Sequence, residues 1–210
     1  MQQALDRRIQ DGGIRKLIAT ILASGAGVLT NEYRIVDFPG DDLYAMLRPR
    51  GLPIGNLTSQ FWANCYLNGF DHFVTRELGC GAYLRYVDDF LLFGDDKAQL
   101  WRWRERIVQR LAGLRLTLHA RQAVVRPTRE GIPFLGFVVY PDHRLLKRRK
   151  GILFRRRLYA LYAAAQRGEI NRAAVTRSLR AWVGHVGHGD TWGLRRSVLA
   201  PIRWSRRQPL

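Results

Sequence analysis

Cysteine is nearly missing from this 210-residue chain, with Cys65 and Cys80 standing alone. Two cysteines at no metal-ligand spacing exclude a disulfide framework, and they suit a reducing cytoplasm. Long apolar runs are missing too. No stretch approaches the roughly 20 uncharged apolar residues of a membrane span, so no membrane is expected among the partners. The opening MQQALDRRIQDGG reads as charged helix and not as a cleavable signal. Repeats and low-complexity linkers are absent. Acid is also scarce: 17 Asp and Glu face 35 Lys and Arg, a net charge of +18 and a pI of about 11.1. GC-rich coding explains arginine over lysine, but not positive over negative. A solvated surface does not need that imbalance, whereas phosphate backbones attract it through counterion release. Nucleic acid is therefore the expected partner, and arginine suits bidentate phosphate contacts.

What is present is ample apolar residue, 47% of the chain, enough for a sizeable core. Residues 14–23 have helical periodicity, and 25–51 are irregular, with at most a short strand in YRIVDF. A helix is predicted from Ser59 to Leu78, capped by Thr58-Ser59, with Phe61, Cys65, Leu67, Phe70, Phe73 and Val74 inward. Two strands come next over 82–87 and 89–93, then an amphipathic helix over Lys97–Leu114 with Leu100, Trp103, Ile107, Val108 and Leu111 inward. LRLTL and AVVRP read as short strands, and GIPFLGFVVYP (131–141) as a strand interrupted at Gly136. The last fifty residues look helical, with Trp182, Trp192 and Trp204 among arginines. The composition changes near residue 143. The expected fold is α+β: an antiparallel sheet packed on helices over 1–143, then a basic helical segment over 144–210.

The stretch YLRYVDDFL places Asp88 and Asp89 side by side within aromatic and branched residues. A buried bare carboxylate costs several kcal/mol, and neighbouring carboxylates repel. An arginine, a tight turn open to water, or a hard cation such as Mg²⁺ would each relieve that cost. Asp41-Asp42 and Asp95-Asp96 read as ordinary exposed turns. The loop RGLPIGNLTSQFWAN (50–64) sets Pro53 and Gly55 just ahead of a helix N-terminus, where anionic groups can bind, although taken alone it reads as an ordinary loop-to-helix entry. The run RLLKRRKGILFRRRL carries Arg144, Lys147, Arg148, Arg149, Lys150, Arg155, Arg156 and Arg157 with few acids to pair them, which favours a nucleic-acid track over a merely solvated face.

Taken in order, these motifs resemble reverse transcriptases, most closely the bacterial kind associated with diversity-generating retroelements. YVDD (86–89) is similar to the family's metal-binding hairpin, LPIGNLTSQ (52–60) to that branch's variant of the nucleotide loop, and FLGF (134–137) to the primer grip. The Arg-rich helices from about 150 to 200, including WVGHVGHGDTW, resemble the thumb. The resemblance implies a partial polymerase palm over 1–143 and a helical, Arg-rich thumb and tail over 144–210. It implies an RNA-directed DNA polymerase that extends a primer with a two-Mg²⁺ site, Mn²⁺ being a substitute. Asp88 would be the catalytic metal ligand, with Asp89 beside it. Tyr86 and Val87 would support the primer end; Pro53, Ile54, Gly55, Ser59 and Gln60 would line the nucleotide and template site. Phe134, Leu135 and Gly136 would hold the primer, and the eight cations would meet its backbone. An aliphatic residue at the place of Ile54 accompanies error-prone copying in this branch. The implied partners are RNA template, DNA primer and dNTP, with an accessory protein or a complementing N-terminal segment besides.

The chain departs from the family in two places. The upstream carboxylate of the family, on an F-x-x-D strand, has no counterpart among Asp6, Asp11, Asp37 or Asp41. The stretch LDRRIQDGGIRKLI looks like the family's segment immediately after that strand, so fingers and first palm strand are expected to be missing. LHARQAVV also stands where many relatives carry a lysine, leaving His119 and Arg121 as local substitutes. His185 and His188 lack a further Cys or His at ligand spacing, so helix packing and phosphate contact are the better reading than metal. The rival from another class is a truncated, non-catalytic nucleic-acid-binding remnant; a start codon assigned too late or a frameshift is a third reading. A group II intron maturase is the nearest alternative enzyme, against which IGNLTSQ speaks.

Overall fold

In the computed structural model, residues 1–25, 36–42, 44, 51–52, 56–119 and 121–202 are described. The chain is mixed α+β and divides into two compact units, Met1–Val125 and Arg126–Leu210. Residues 33–35 of the expected early strand, Pro53, Ile54, Gly55 and Trp204 lie outside the described residues.

In the first unit, α1 (Gln2–Asp6), α2 (Gly12–Ser24) and α3 (Leu57–His72) pack around Leu5, Ile18 and Trp62. The cap of α3 is Asn56, whose side chain accepts from the Thr58 N–H at 3.1 Å, so the helix opens earlier than the Thr58-Ser59 cap predicted. Trp62 takes the buried position, and Phe61, expected inward, is 64% exposed. The helix runs on through a π-helical turn, Phe73–Glu77, and the chain turns away at Gly79, where φ is 67°.

Next come the antiparallel strands β1 (Ala82–Tyr86) and β2 (Asp89–Phe93), then α4 (Lys97–Gly113), capped by Asp96. Phe70, Phe73 and Val74 meet Trp103, Ile107 and Leu111 in one core, and Tyr83, Phe90 and Leu92 lie against it from the hairpin. Val108, expected inward, is exposed, because the spacing 103, 107, 111 already fills the inner face of α4. LRLTL and AVVRP are not strands. Leu114, Leu116 and Leu118 do pack on the core with a period of two, but no ladder forms. Side chains serve their carbonyls instead: Tyr66 Oη donates to Leu114 O at 2.6 Å, and Arg104 Nε to Ala123 O at 2.9 Å.

The second unit opens with a three-stranded antiparallel sheet, β3 (Ile132–Phe134), β4 (Phe137–Val139) and β5 (Arg144–Leu146). Because β5 pairs with β4, the composition change near 143 falls inside a sheet; the units divide upstream of it, after Val125. Helices α5 (Arg148–Gln166), α6 (Arg172–Val186) and α7 (Trp192–Leu199) then enclose Leu158, Val175, Trp182, Val186 and Val198. Phe154 of α5 stacks on Trp182 of α6 with ring centroids 4.3 Å apart.

Gly131, at φ 79°, enters this sheet where a Cβ would lie 2.5 Å from Val138 Cγ1 and 2.8 Å from Tyr140 Cζ. Gly131→Ala is expected to destabilise the chain by about 2–4 kcal/mol, combining backbone strain with overpacking. Gly168→Ala, at φ 77° with open space around it, should cost only about 1 kcal/mol. Chemical denaturation of the two variants beside the parent checks the difference.

Candidate active site

The strands β1 and β2 pair from Ala82↔Phe93 to Tyr86↔Asp89, which leaves Val87 and Asp88 as a two-residue turn. Alternation sends Tyr83 toward the core together with Phe90 and Leu92, while Asp88 and Asp89 stand exposed at the tip. The apolar setting legible in the sequence is thus the inner face of the hairpin, and the two carboxylates escape it into water. Val87 adopts φ 57°. A β-branched residue in the left-handed region costs about 1–2 kcal/mol, so something must hold it there.

The arginine expected to relieve a carboxylate is present, but it serves a different one. Arg85 Nε and Nη2 donate to the two oxygens of Asp71 on α3, at 2.7 and 2.6 Å. Its Nη1 donates to the Val87 carbonyl at 2.7 Å and to Asn64 Oδ1 at 2.9 Å. Tyr83 Oη adds a third donor to Asp71, at 2.7 Å. The Arg85 side chain is 11% exposed and that of Asp71 28%, so the pair is half-buried, while the bond to Asn64 lies in the open. Charge-assisted hydrogen bonds are worth about 1.5–3 kcal/mol each, enough to offset the cost of the Val87 turn. Burial pushes the Asp71 carboxyl up, but the bonds from Arg85 and Tyr83 outweigh it and hold the group below its usual range. The same burial, with Asp71 beside it, raises the Tyr83 hydroxyl, and the Asp71 bond raises Arg85.

With its fork occupied by Asp71, Arg85 leaves Asp88 and Asp89 without an ion pair among the described residues. Two adjacent exposed carboxylates suit a hard cation such as Mg²⁺, which commonly takes one or two protein carboxylates and completes its shell with water and phosphate. Among the described residues no group of three His, Cys, Asp or Glu gathers to hold a metal alone. His185 and His188 accordingly have no donor set with Asp190, and the His185 ring packs against Phe137 at 5.3 Å.

The nucleotide-loop residues are placed in part. Ser59 is half-buried and Gln60 exposed in the first turn of α3. Gln60 precedes by four residues Asn64, which shares the Arg85 Nη1 with the turn, so this helix face runs toward the hairpin tip. Tyr86 is 58% exposed. In the second unit, Phe134 ends β3 and pairs with Phe137, and Leu135 and Gly136 form the two-residue β3–β4 turn, with Leu135 at φ 45° and Gly136 at φ 90°. Leu135 is exposed, and the Lys147 N–H donates to Gly136 O at 3.0 Å.

The eight cations lie on β5, at the start of α5 and along its first half. All are exposed except Lys147, which is half-buried, and none forms an ion pair among the described residues. The first turn of α5 contains no acid and no side-chain cap, so positive side chains add to the positive end of the helix dipole. An open groove of about 490 Å³ beside it is lined by Lys147, Arg148, Arg155 and the acid Asp190 over Leu145 and Ile152.

Arg85, Asp71, Tyr83 and Asn64 escaped the sequence reading. The available signal was two solitary charges: Asp71 inside an apolar helix and Arg85 inside an apolar strand, each needing a partner. No protein-family model matches this chain, and no curated protein is significantly similar to it.

Asp71→Asn is expected to lower stability by about 1–3 kcal/mol at neutral pH. The folded-state value of Asp71 is depressed, so its contribution is complete above the unfolded value of about 4 and fades as pH falls through the folded one. Urea unfolding of parent and variant should therefore show a gap at pH 7 that narrows as the pH falls below the ordinary carboxylate range.

Proposed function

We propose that this chain is the palm and thumb portion of a reverse transcriptase: an RNA-directed DNA polymerase working on an RNA template and a DNA primer with dNTPs. The observation that carries the reading is the hairpin tip, where YVDD presents two exposed carboxylates, without an ion pair among the described residues, on a turn anchored by Arg85. Asp88 and Asp89 would hold Mg²⁺, with Mn²⁺ as a substitute. The bound ion supplies charge neutralisation at the reacting phosphate and lowers the barrier to attack by the primer hydroxyl. In the reaction, the primer 3′ oxygen bonds to the α-phosphorus as the bond to the pyrophosphate oxygen breaks. On this reading Tyr86 and Val87 would support the primer end, and Pro53, Ile54, Gly55, Ser59 and Gln60 would serve the incoming nucleotide and template base. Phe134, Leu135 and Gly136 grip the primer, and the unpaired cations from Arg144 to Arg157 meet phosphates.

A second reading, nucleic-acid binding without catalysis, is favoured by the lack of a third acid beside Asp88 and Asp89 among the described residues. Primer extension on an RNA template with Mg²⁺ separates the two, run beside a variant carrying Asp88→Asn and Asp89→Asn. Extension that vanishes in the variant is the expected result for the polymerase. Absent extension, with salt-sensitive primer-template binding retained, would leave the binding reading. In either case Arg155→Ser, Arg156→Ser and Arg157→Ser together should flatten the salt dependence of binding, by about one log–log unit for each phosphate left without its arginine. An unchanged slope would remove this run from the nucleic-acid track.

A further inference from the structure

Resting on that reading of the hairpin, we infer that Arg85 is a positioning residue that sets the conformation of the Val87–Asp88 turn, with Asp71 as its anchor on α3. A salt bridge that merely stabilised the fold would need only the Asp71 contacts. Here the guanidinium is used on two sides at once. Its Nε and Nη2 edge is fixed by both oxygens of Asp71, which sets the plane of the group. That plane aims Nη1 at the Val87 carbonyl and Asn64 Oδ1.

Asp71 and Asn64 lie seven residues apart on α3, two turns along one face, so the helix supplies a rigid ruler for the turn. Tyr83 Oη, donating to Asp71 Oδ1, braces the anchor from β1 itself.

The peptide held by Nη1 is the one joining Val87 to Asp88. Its carbonyl direction is coupled to the unusual φ of 57° at Val87 and to the direction in which the Asp88 carboxylate leaves the backbone. Without the Nη1 bond, valine relaxes toward extended backbone and the two carboxylates lose their mutual orientation. Lysine cannot substitute: one ammonium can reach Asp71 or the carbonyl, but has no planar fork with which to fix one while addressing the other.

The test uses the isotopically labelled 210-residue chain, with Mn²⁺ alone as the probe. In Arg85→Lys the Val87 Cα and Cβ shifts should lose their left-handed signature while the melting temperature stays within a few degrees of the parent. The Mn²⁺ concentration that half-broadens the Asp88 and Asp89 amide signals should rise about tenfold, as for loss of a group that orients a metal ligand. Adding Val87→Gly, which takes positive φ without help, should restore the Mn²⁺ midpoint. This double variant also decides the matter if Arg85→Lys alone does not fold. Retention of the Val87 signature in Arg85→Lys, or no recovery in the double variant, would overturn the inference. Failure of Mn²⁺ to broaden these signals in the parent would instead overturn the metal-site reading, and the Val87 shifts would still decide the role of Arg85.

Discussion

The first compact unit depends on one ion pair, the bidentate contact between Arg85 and Asp71. A two-stranded sheet is marginal by itself, and β1–β2 has no third strand among the described residues. Its inner face contributes Tyr83, Phe90 and Leu92 to the core, a small apolar area for fixing position along α3. Apolar contact is also non-directional and would tolerate sliding. The Arg85 fork supplies the missing direction, because its planar Nε/Nη2 edge must face the two carboxylate oxygens while Nη1 meets the turn. A half-buried pair gains little net stability over an apolar substitute, but losing either partner strands a charge. The pair therefore acts chiefly as a register device, and the placement of Asp88 and Asp89 depends on it.

The second unit is governed by charge that is left uncompensated. Asp11, Asn56, Asp96 and Asn171 cap four helices with side-chain oxygens, the local chemistry expected of a stable helix start. Helix α5 departs from this. Lys147 stands at its cap, Arg148, Arg149 and Lys150 fill its first turn, no acid shares that turn, and among the described residues none of the four forms an ion pair. Each choice is mildly unfavourable for the helix and raises the local positive potential. A chain of net charge +18 that sets eight of its cations in this run is coherent with a polyanionic partner.

Where the signal was local, it was legible in the sequence. The hairpin strands are bounded to within a residue because runs of aromatic and branched residues flank Asp88-Asp89 on both sides. The helix at Lys97 was as clear, although Val108 looked buried because periodicity alone does not say how wide the covered stripe is. LRLTL shows the limit from the other side: its leucines alternate and pack as a strand would, but a strand needs a paired neighbour, and among the described residues neither AVVRP nor any other segment pairs with it. Phe61 and Trp62 could not be ranked without knowing that α1 and α2 return against α3. The Asp71–Arg85 link spans fourteen residues across two elements and has no periodic trace at all.

The two turns that carry the resemblance motifs share a physical oddity. Three described non-glycine residues have positive φ, and two of them, Val87 and Leu135, sit in those turns. Asparagine or glycine would occupy either place at lower cost. At Leu135 the cost is softened by Gly136, whose φ of 90° completes a turn matched to the twist of its strands. At Val87 the next residue is Asp88, which gives no such relief, and the compensation comes from Arg85. A sequence selected only for turn stability would not place an exposed leucine at one tip and a strained valine beside two carboxylates at the other. Strain of this kind persists where the side chain is needed for something beyond the fold. Its coincidence with the two motifs is a physical argument for these turns as working surfaces, independent of the resemblance that first singled them out.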